Sequence, residues 1–372
     1  MTGATLPFSA IPELRRRALG RWLVIWAVMV LLTVVIGGVT RLTESGLSIT
    51  EWAPVTGIVP PFSEAAWNDA FTRYQAIPEY RELNRGMSLA DFKRIFLWEY
   101  VHRLWARLVG LALVVPFAVF LARRYVTAAL GRRLAILLVL TGAQGALGWF
   151  MVASGLTERT DVSQYRLAAH LALALVIYIV TVWTAADLLA KHEAGTVEPA
   201  ARSGLARATV LVTGLVFSTA IAGAFVAGLD AGKTYNTFPL MGGRLVPLGY
   251  GALSPWWRNL FENVAAVQFN HRVLGVVSLA AVVFLWARGR AARLGRWSRR
   301  MFDLLPLVAA LQVALGIATL LLVVPVWVAA LHQAGAVLLL TASVLLVHAL
   351  RAGGRSVAAE PAGVPDARPA PV

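Results

Sequence analysis

Six histidines punctuate the chain, and four of them (His102, His170, His271 and His332) fall inside strongly apolar stretches. An ionisable side chain within a membrane span is costly and usually serves a function. Two imidazoles facing each other between helices can supply both axial ligands of a haem iron. Zinc also takes imidazole, but no carboxylate or thiolate cluster accompanies these residues, and the chain has no cysteine. Any redox chemistry therefore needs a bound cofactor. The natural pairs are His102 with His170 and His271 with His332. His192, in an inner loop, and His348, near the inner end of the last apolar stretch, read as non-functional.

Arg103 and Arg272 directly follow two of these histidines. A guanidinium grips carboxylates through paired hydrogen bonds, so a haem propionate is a candidate partner for each, with lipid phosphate the competing one. Three residues before His102 stands Glu99, and three before His271 stands Gln268. Residues spaced i, i+3 share a helix face, so one pair has a carboxylate beside it and the other a neutral amide of nearly the same shape. A carboxylate can accept a proton or stabilise a developing cation. The first pair is thus the expected reaction site and the second the expected electron-carrying site. The plainer reading of Glu99 is a charge complementing a helix N-terminus.

The elements that must hold these groups are membrane helices. Of 372 residues, 58% are hydrophobic and 14% charged, against about a quarter charged in soluble domains; mean hydropathy is +0.69. A span needs roughly 20 apolar residues, and eight fit, near 21–40, 98–121, 134–153, 166–189, 205–228, 264–287, 302–323 and 326–350. The fold class is all-α integral membrane. The first stretch is too long for a signal peptide core and lacks a clear cleavage site. The four histidines lie four to seven residues into the even-numbered spans, roughly 6–10 Å below one membrane face at ~1.5 Å per residue.

The net charge of +15 raises nucleic acid as a partner, and its distribution argues against it. With a cytoplasmic N-terminus, 20 of the 34 Lys and Arg lie in inner segments, 11 in outer loops and three within spans, against seven acidic residues inside and 11 outside. That is the positive-inside pattern, matched to anionic lipid. Both termini are expected in the cytoplasm and the four histidines toward the periplasmic side. Two outer loops are long, 41–97 and 229–263, and their Trp and Pro content favours folded caps.

The two halves repeat. His102-Arg103 matches His271-Arg272, Gln144-Gly145-Ala146-Leu147-Gly148 matches Gln312-Val313-Ala314-Leu315-Gly316, Ala168-Ala169-His170 matches Ala330-Leu331-His332, and Ile36-Gly37-Gly38 matches Ile221-Ala222-Gly223. Four spans per unit is an even number, so both units face the same way and a pseudo-twofold axis should run along the membrane normal. The expected organisation is a cytoplasmic segment 1–20, a four-helix bundle 21–190, a linker 191–204, a second four-helix bundle 205–350, and a disordered tail 351–372. Gly110, Ala168, Ala169, Gly275 and Gly335 are small enough to leave room for a flat macrocycle, and equally suit helix packing.

The run Gly37-Gly38-Val39-Thr40-Arg41-Leu42-Thr43-Glu44-Ser45-Gly46-Leu47-Ser48, with Glu51-Trp52-Ala53-Pro54-Val55-Thr56-Gly57, Glu99-Tyr100-Val101-His102-Arg103, Gly228-Leu229-Asp230-Ala231-Gly232-Lys233, Asn236-Thr237-Phe238-Pro239-Leu240-Met241 and Asn270-His271-Arg272, resembles the haem A synthase family in its mitochondrial and alphaproteobacterial form. The resemblance covers roughly residues 20–350. It implies an oxidoreductase that turns the C8 methyl of haem O into a formyl by two successive hydroxylations, through a hydroxymethyl intermediate, giving haem A for cytochrome c oxidase. It implies haem b as cofactor between His271 and His332, haem O as substrate between His102 and His170, and Glu99 as the essential acid. The implied setting is the bacterial inner membrane, with membrane lipid, a haem O synthase (protohaem farnesyltransferase) and an electron acceptor as partners, and a homo-oligomer compatible. Loop cysteine pairs present in some members are missing here. The competing reading is a dihaem electron-transfer protein of cytochrome b type that oxidises quinol, with a haem exporter or chaperone behind it.

Overall fold

A computed structural model describes residues 8–357 apart from 54–55, 159 and 190–198. His192, most of the expected linker and the tail beyond 357 lie outside the described residues. Backbone in lipid must satisfy its own hydrogen bonds, so apolar runs of this length become helices. Among the described residues eight helices are long and apolar enough to cross a membrane: α1 (Glu13–Leu42), α4 (Leu89–Ala122), α5 (Ala128–Glu158), α6 (Gln164–Leu189), α7 (Pro199–Gly228), α8 (Val264–Gly289), α9 (Arg296–Leu321) and α10 (Val326–Val357). Two short helices, α2 (Glu64–Gln75) and α3 (Pro78–Glu82), sit in the first long loop. All eight expected spans are present. Several helices overrun the apolar runs; α7 starts within the expected linker, and α10 runs into the expected tail, through Val357.

The largest overrun is at α4, which begins nine residues before the expected span. Ser88 caps it, its hydroxyl accepting from the Asp91 amide at 3.2 Å. Asp91, Lys93 and Arg94 hide this turn from a hydropathy reading, while Phe92 and Phe96, spaced i, i+4, are buried. They pack with Trp67, Phe71, Tyr74 and Tyr80 from the loop. The first long loop is therefore a folded cap with its own aromatic core. The second is built on short 3-10 turns, Ala231–Lys233 and Trp256–Leu260, and on buried Asn259. That side chain accepts from the Leu253 amide (3.0 Å) and donates to the Leu253 and Trp256 carbonyls, both at 2.8 Å.

Four helices form the centre. α1 packs on α6 and α10, α7 packs on α10 and α6, and α6 meets α10. α4 leans on α1 and α5 on α6; on the other side α8 leans on α7 and α9 on α10. The core is aliphatic, with Leu19, Leu23, Leu113, Leu175, Leu188, Leu340 and Leu346 nearly or fully sealed. Indole N–H groups of Trp22, Trp26 and Trp105 donate across the α1–α4 contact to the carbonyls of Ala112, Val109 and Met29. Leu111, Val139, Leu211, Phe284 and Leu307 are exposed around the rim, as lipid-facing residues should be. Near the end opposite the caps, buried Asp187 on α6 holds Arg133 of α5 (2.5 Å) and His348 of α10 (2.9 Å). His348 thus ties the two halves together.

Candidate haem sites

Each of the four histidines lies against a glycine of the preceding long helix. A Cβ on Gly37 would stand 3.0 Å from His102 Nε2; on Gly148, 3.0 Å from His170 Cε1; on Gly223, 3.0 Å from His271 Cε1; and on Gly316, 2.8 Å from His332 Cε1. Only glycine lets the imidazoles come so close to the helix backbone. These glycines were visible in the sequence repeat, but nothing there tied them to the histidines. Gly110 and Gly275 border open space, whereas Gly335 faces the Gln312 side chain.

Gln144 and Gln312 were likewise only landmarks of the repeat. In the structure Gln144 Nε2 donates to the His170 carbonyl at 3.0 Å, and Gln312 Nε2 to the His332 carbonyl at 2.9 Å. Gln312 Nε2 also lies 3.1 Å from His332 Nδ1. On α8, His271 Nδ1 lies 3.1 Å from the Thr219 carbonyl. A ring nitrogen that donates to a backbone carbonyl leaves the other nitrogen free to bind metal.

The second pair faces itself. The ring centres of His271 and His332 are 6.4 Å apart with planes at 83°. Two imidazoles sharing one metal, each nitrogen ~2 Å from it, place their ring centres roughly 6 Å apart. α8 and α10 each pack on α7 and α9, not closely on one another. His102 and His170 have no such ring contact, and His170 Nδ1 is buried with no hydrogen-bond partner. No group of three or more His, Cys, Asp or Glu gathers among the described residues. A haem iron has two axial positions to fill, so each pair fits it without further ligands.

Glu99 and Gln268 are each 2% exposed. Glu99 Oε2 accepts from Ser48 Oγ and the Ile49 amide, both at 2.7 Å; Oε1 accepts from Arg103 Nη2 (2.6 Å) and Nε (3.0 Å). Both oxygens of this carboxylate are thus fully engaged by donors. Gln268 does the reverse, donating to the carbonyls of Ala231 (2.8 Å) and Tyr235 (3.2 Å), and its oxygen accepts from Arg272 Nη2 at 3.2 Å. Glu99 is the eleventh residue of α4. It is therefore outside the first turn, where a helix dipole acts, and the plainer reading of its charge falls.

The two arginines have loop partners. Arg103 donates to the carbonyls of Ile49 (2.8 Å) and Glu51 (2.9 Å), and Arg272 to those of Tyr235 (2.6 Å) and Thr237 (2.7 Å). Both guanidinium groups thus staple an outer cap to the helix carrying a histidine. Arg272 Nε has no partner and remains free to meet an anion. Two of the runs that carry the family resemblance also meet: Arg41 Nη2 lies 2.7 Å from Asp230 Oδ2, and Lys233 Nζ lies 3.2 Å from both Glu44 and Asp230. Burial alone would raise the Asp230 pKa, but Arg41 and Lys233 outweigh it and hold it below the ordinary value.

Fold and site together define a class: an all-helical fold with, among the described residues, eight apolar, membrane-length helices, four of which carry a buried or part-buried histidine. Residues 20–344 match the family described as cytochrome oxidase assembly protein. The chain belongs to that family. A relative from Parvibaculum lavamentivorans is 47% identical over 341 residues, covering 91% of this chain and 96% of its own. One from Nitrosospira multiformis is 46% identical over 330 residues (89% and 92%), and one from Rhodospirillum centenum 47% over 363 residues (94% of each). All three carry the name haem A synthase.

Proposed function

We propose that this chain is a haem A synthase, an enzyme that oxidises the C8 methyl of haem O to a formyl in two successive hydroxylations and so supplies haem A to cytochrome c oxidase. The name carried by relatives at 46–47% identity over about nine-tenths of the chain supports the activity and disfavours the dihaem electron-transfer reading. The observation that carries the division of labour is the contrast of Glu99 with Gln268 in otherwise matching surroundings.

In this reading His271 and His332 hold a resident haem b, and His102 and His170 flank the substrate haem O. Bound haem supplies iron-centred redox chemistry. The protein's own contribution is positional and electrostatic. The glycines let the imidazoles sit close to their neighbouring helices, and the arginine staples hold the caps that exclude water. Glu99, with its lone pairs engaged by four donors, is a fixed negative charge that stabilises positive charge developing at the methyl carbon. The saturated carboxylate favours that role over proton abstraction. Arg272, through its free Nε, and Arg103 remain propionate candidates.

The matched packing of α1, α4, α5 and α6 with α7, α8, α9 and α10 supports two four-helix halves, 21–190 and 205–350, related by a pseudo-twofold axis along the membrane normal. We place the chain in the bacterial inner membrane with both termini cytoplasmic and the histidines periplasmic. Haem O synthase and an electron acceptor are its proposed partners. The test is to express the chain in membranes that contain haem O and no other synthase, then extract the haems. A formyl-bearing haem is expected. Unchanged haem O alone would overturn the proposal.

A further inference from the structure

Beside the saturated Glu99 lies a second buried acid with the opposite character. Glu79, on α3 in the first cap, is 4% exposed. Its Oε2 is buried with no hydrogen-bond partner, and Asn84 Nδ2 stands a long 3.5 Å from Oε1. That amide donates to the Tyr74 hydroxyl oxygen at 2.8 Å, and the Tyr74 hydroxyl in turn hydrogen-bonds the Glu79 carboxyl. A buried carboxylate with one oxygen left without a donor is disfavoured relative to its protonated form. The groups that act on Glu79 come from each neighbouring element: Tyr74 from α2, Glu99 from α4, Arg41 and Glu44 from the end of α1 and the turn after it. α5 brings apolar Met151, Val152 and Leu156 to this cluster. Burial comes first in raising the Glu79 pKa, to about 8, and the negative charge of Glu99 comes next; the Tyr74 hydrogen bond and Arg41 oppose them.

We propose that Glu79 is the proton-exchanging residue of the first-half site, holding a proton on its carboxyl beside the ionised Glu99 and releasing it toward the outer face as positive charge builds in the pocket. The division is electrostatic. Glu99 accepts hydrogen bonds from four donors. Glu79 has none at Oε2, so it keeps its proton until a nearby positive charge offsets the repulsion from Glu99. When one electron passes from the pocket to the electron acceptor proposed above, the unit of positive charge left behind is balanced by the single proton that Glu79 releases to outer water, and Glu79 is reprotonated before the next electron leaves. Glu79 touches no haem ligand and acts through the charge of the pocket. It is a positioning residue for charge, and its role in turnover rests on the synthase reading above.

The experiment uses the full chain, purified with its haems, and two readouts. The first is the infrared carbonyl stretch of a protonated carboxylic acid. A band that fades as the pH rises through about 8 is expected in the wild type; in Glu99→Gln, which lacks the neighbouring charge, it should fade at lower pH, and in Glu79→Gln it should be absent. The second is the midpoint potential of the first-half haem. It should fall with rising pH below about 8 in the wild type and be nearly flat in Glu79→Gln, with Glu79→Asp restoring part of the slope. A band that persists in Glu79→Gln, or an unchanged potential slope in that variant, overturns the proposal. If the chain makes no haem A, the functional reading fails, while the infrared band still decides whether Glu79 holds the proton.

Discussion

Glu99 and Gln268 have nearly the same shape and opposite hydrogen-bonding polarity, and both use it to anchor the start of an outer cap. Glu99 takes hydrogen bonds from Ser48 and Ile49, and Gln268 gives them to Ala231 and Tyr235. Glu99→Gln keeps the volume and removes the charge, and it sets an amide N–H against at least one existing donor. Leaving a buried donor unpaired costs ~1–3 kcal/mol, so the variant should fold with a lowered melting temperature and keep its haem b. Loss of one preorganised electrostatic group typically slows chemistry ~10²–10³-fold, and the rate of haem O conversion should fall on that scale. Glu79 gives a pH prediction with a definite sign. Its pKa is raised from 4.5 to about 8 in the folded protein, so the stability tied to its protonated form is complete below about 4.5 and lost as the pH rises through about 8. Glu79→Gln should therefore lose less thermal stability than the wild type on moving from neutral to alkaline pH. An identical loss in both proteins would contradict this. The i, i+3 spacing made the Glu99/Gln268 contrast legible in sequence. Two of the four donors to Glu99 are on Arg103, one helical turn on; the other two, Ser48 and Ile49, lie about 50 positions away, and no local pattern shows them.

At the scale of elements, each histidine depends on a glycine one helix away. A methyl group at Gly316 would stand 2.8 Å from the His332 ring, closer than packing allows. Overpacking typically costs ~1–3 kcal/mol. Gly316→Ala should lower both melting temperature and haem content, read from the Soret absorbance of purified protein. Gly214→Ala, where a Cβ meets nothing within 4 Å, should change neither. The eight spans were legible because apolar runs longer than the bilayer core have one stable solution. The start of α4 was not, because its first turns are amphipathic and bury Phe92 and Phe96 in a cap rather than in the bilayer core. The caps were expected from their Trp and Pro content, but α2 and α3 were not, since their helices are short and polar on one side. The repeat listed Gln144, Gln312 and the four glycines in the right order without saying what they touch.

Across the whole molecule, two of the runs that carry the family resemblance meet at one ion-pair cluster. Arg41 and Asp230 are 189 positions apart in sequence and 2.7 Å apart in space, joining the end of α1 to the second cap. Sequence could not place the two runs together, because their meeting depends on how the halves pack. The pair is partly exposed, with Asp230 42% accessible at its side chain. Exposed pairs contribute ~0.2–1 kcal/mol, so a double-mutant cycle of Arg41→Ala with Asp230→Ala should give a coupling of about that size. Asp230 is held below its ordinary pKa, so this stability is present above that value and lost as the pH falls through the lowered one. The cycle repeated in acid should give a smaller coupling.

The central claim is that two similar histidine pairs do different work, one binding a resident haem and one presenting the substrate. Haem analysis of purified His102→Ala and His271→Ala, produced in membranes containing haem O, tests it most directly. The account predicts that His102→Ala retains haem b and yields no haem A, while His271→Ala loses haem b. Loss of haem b from His102→Ala with full retention in His271→Ala would reverse the assignment and contradict the account.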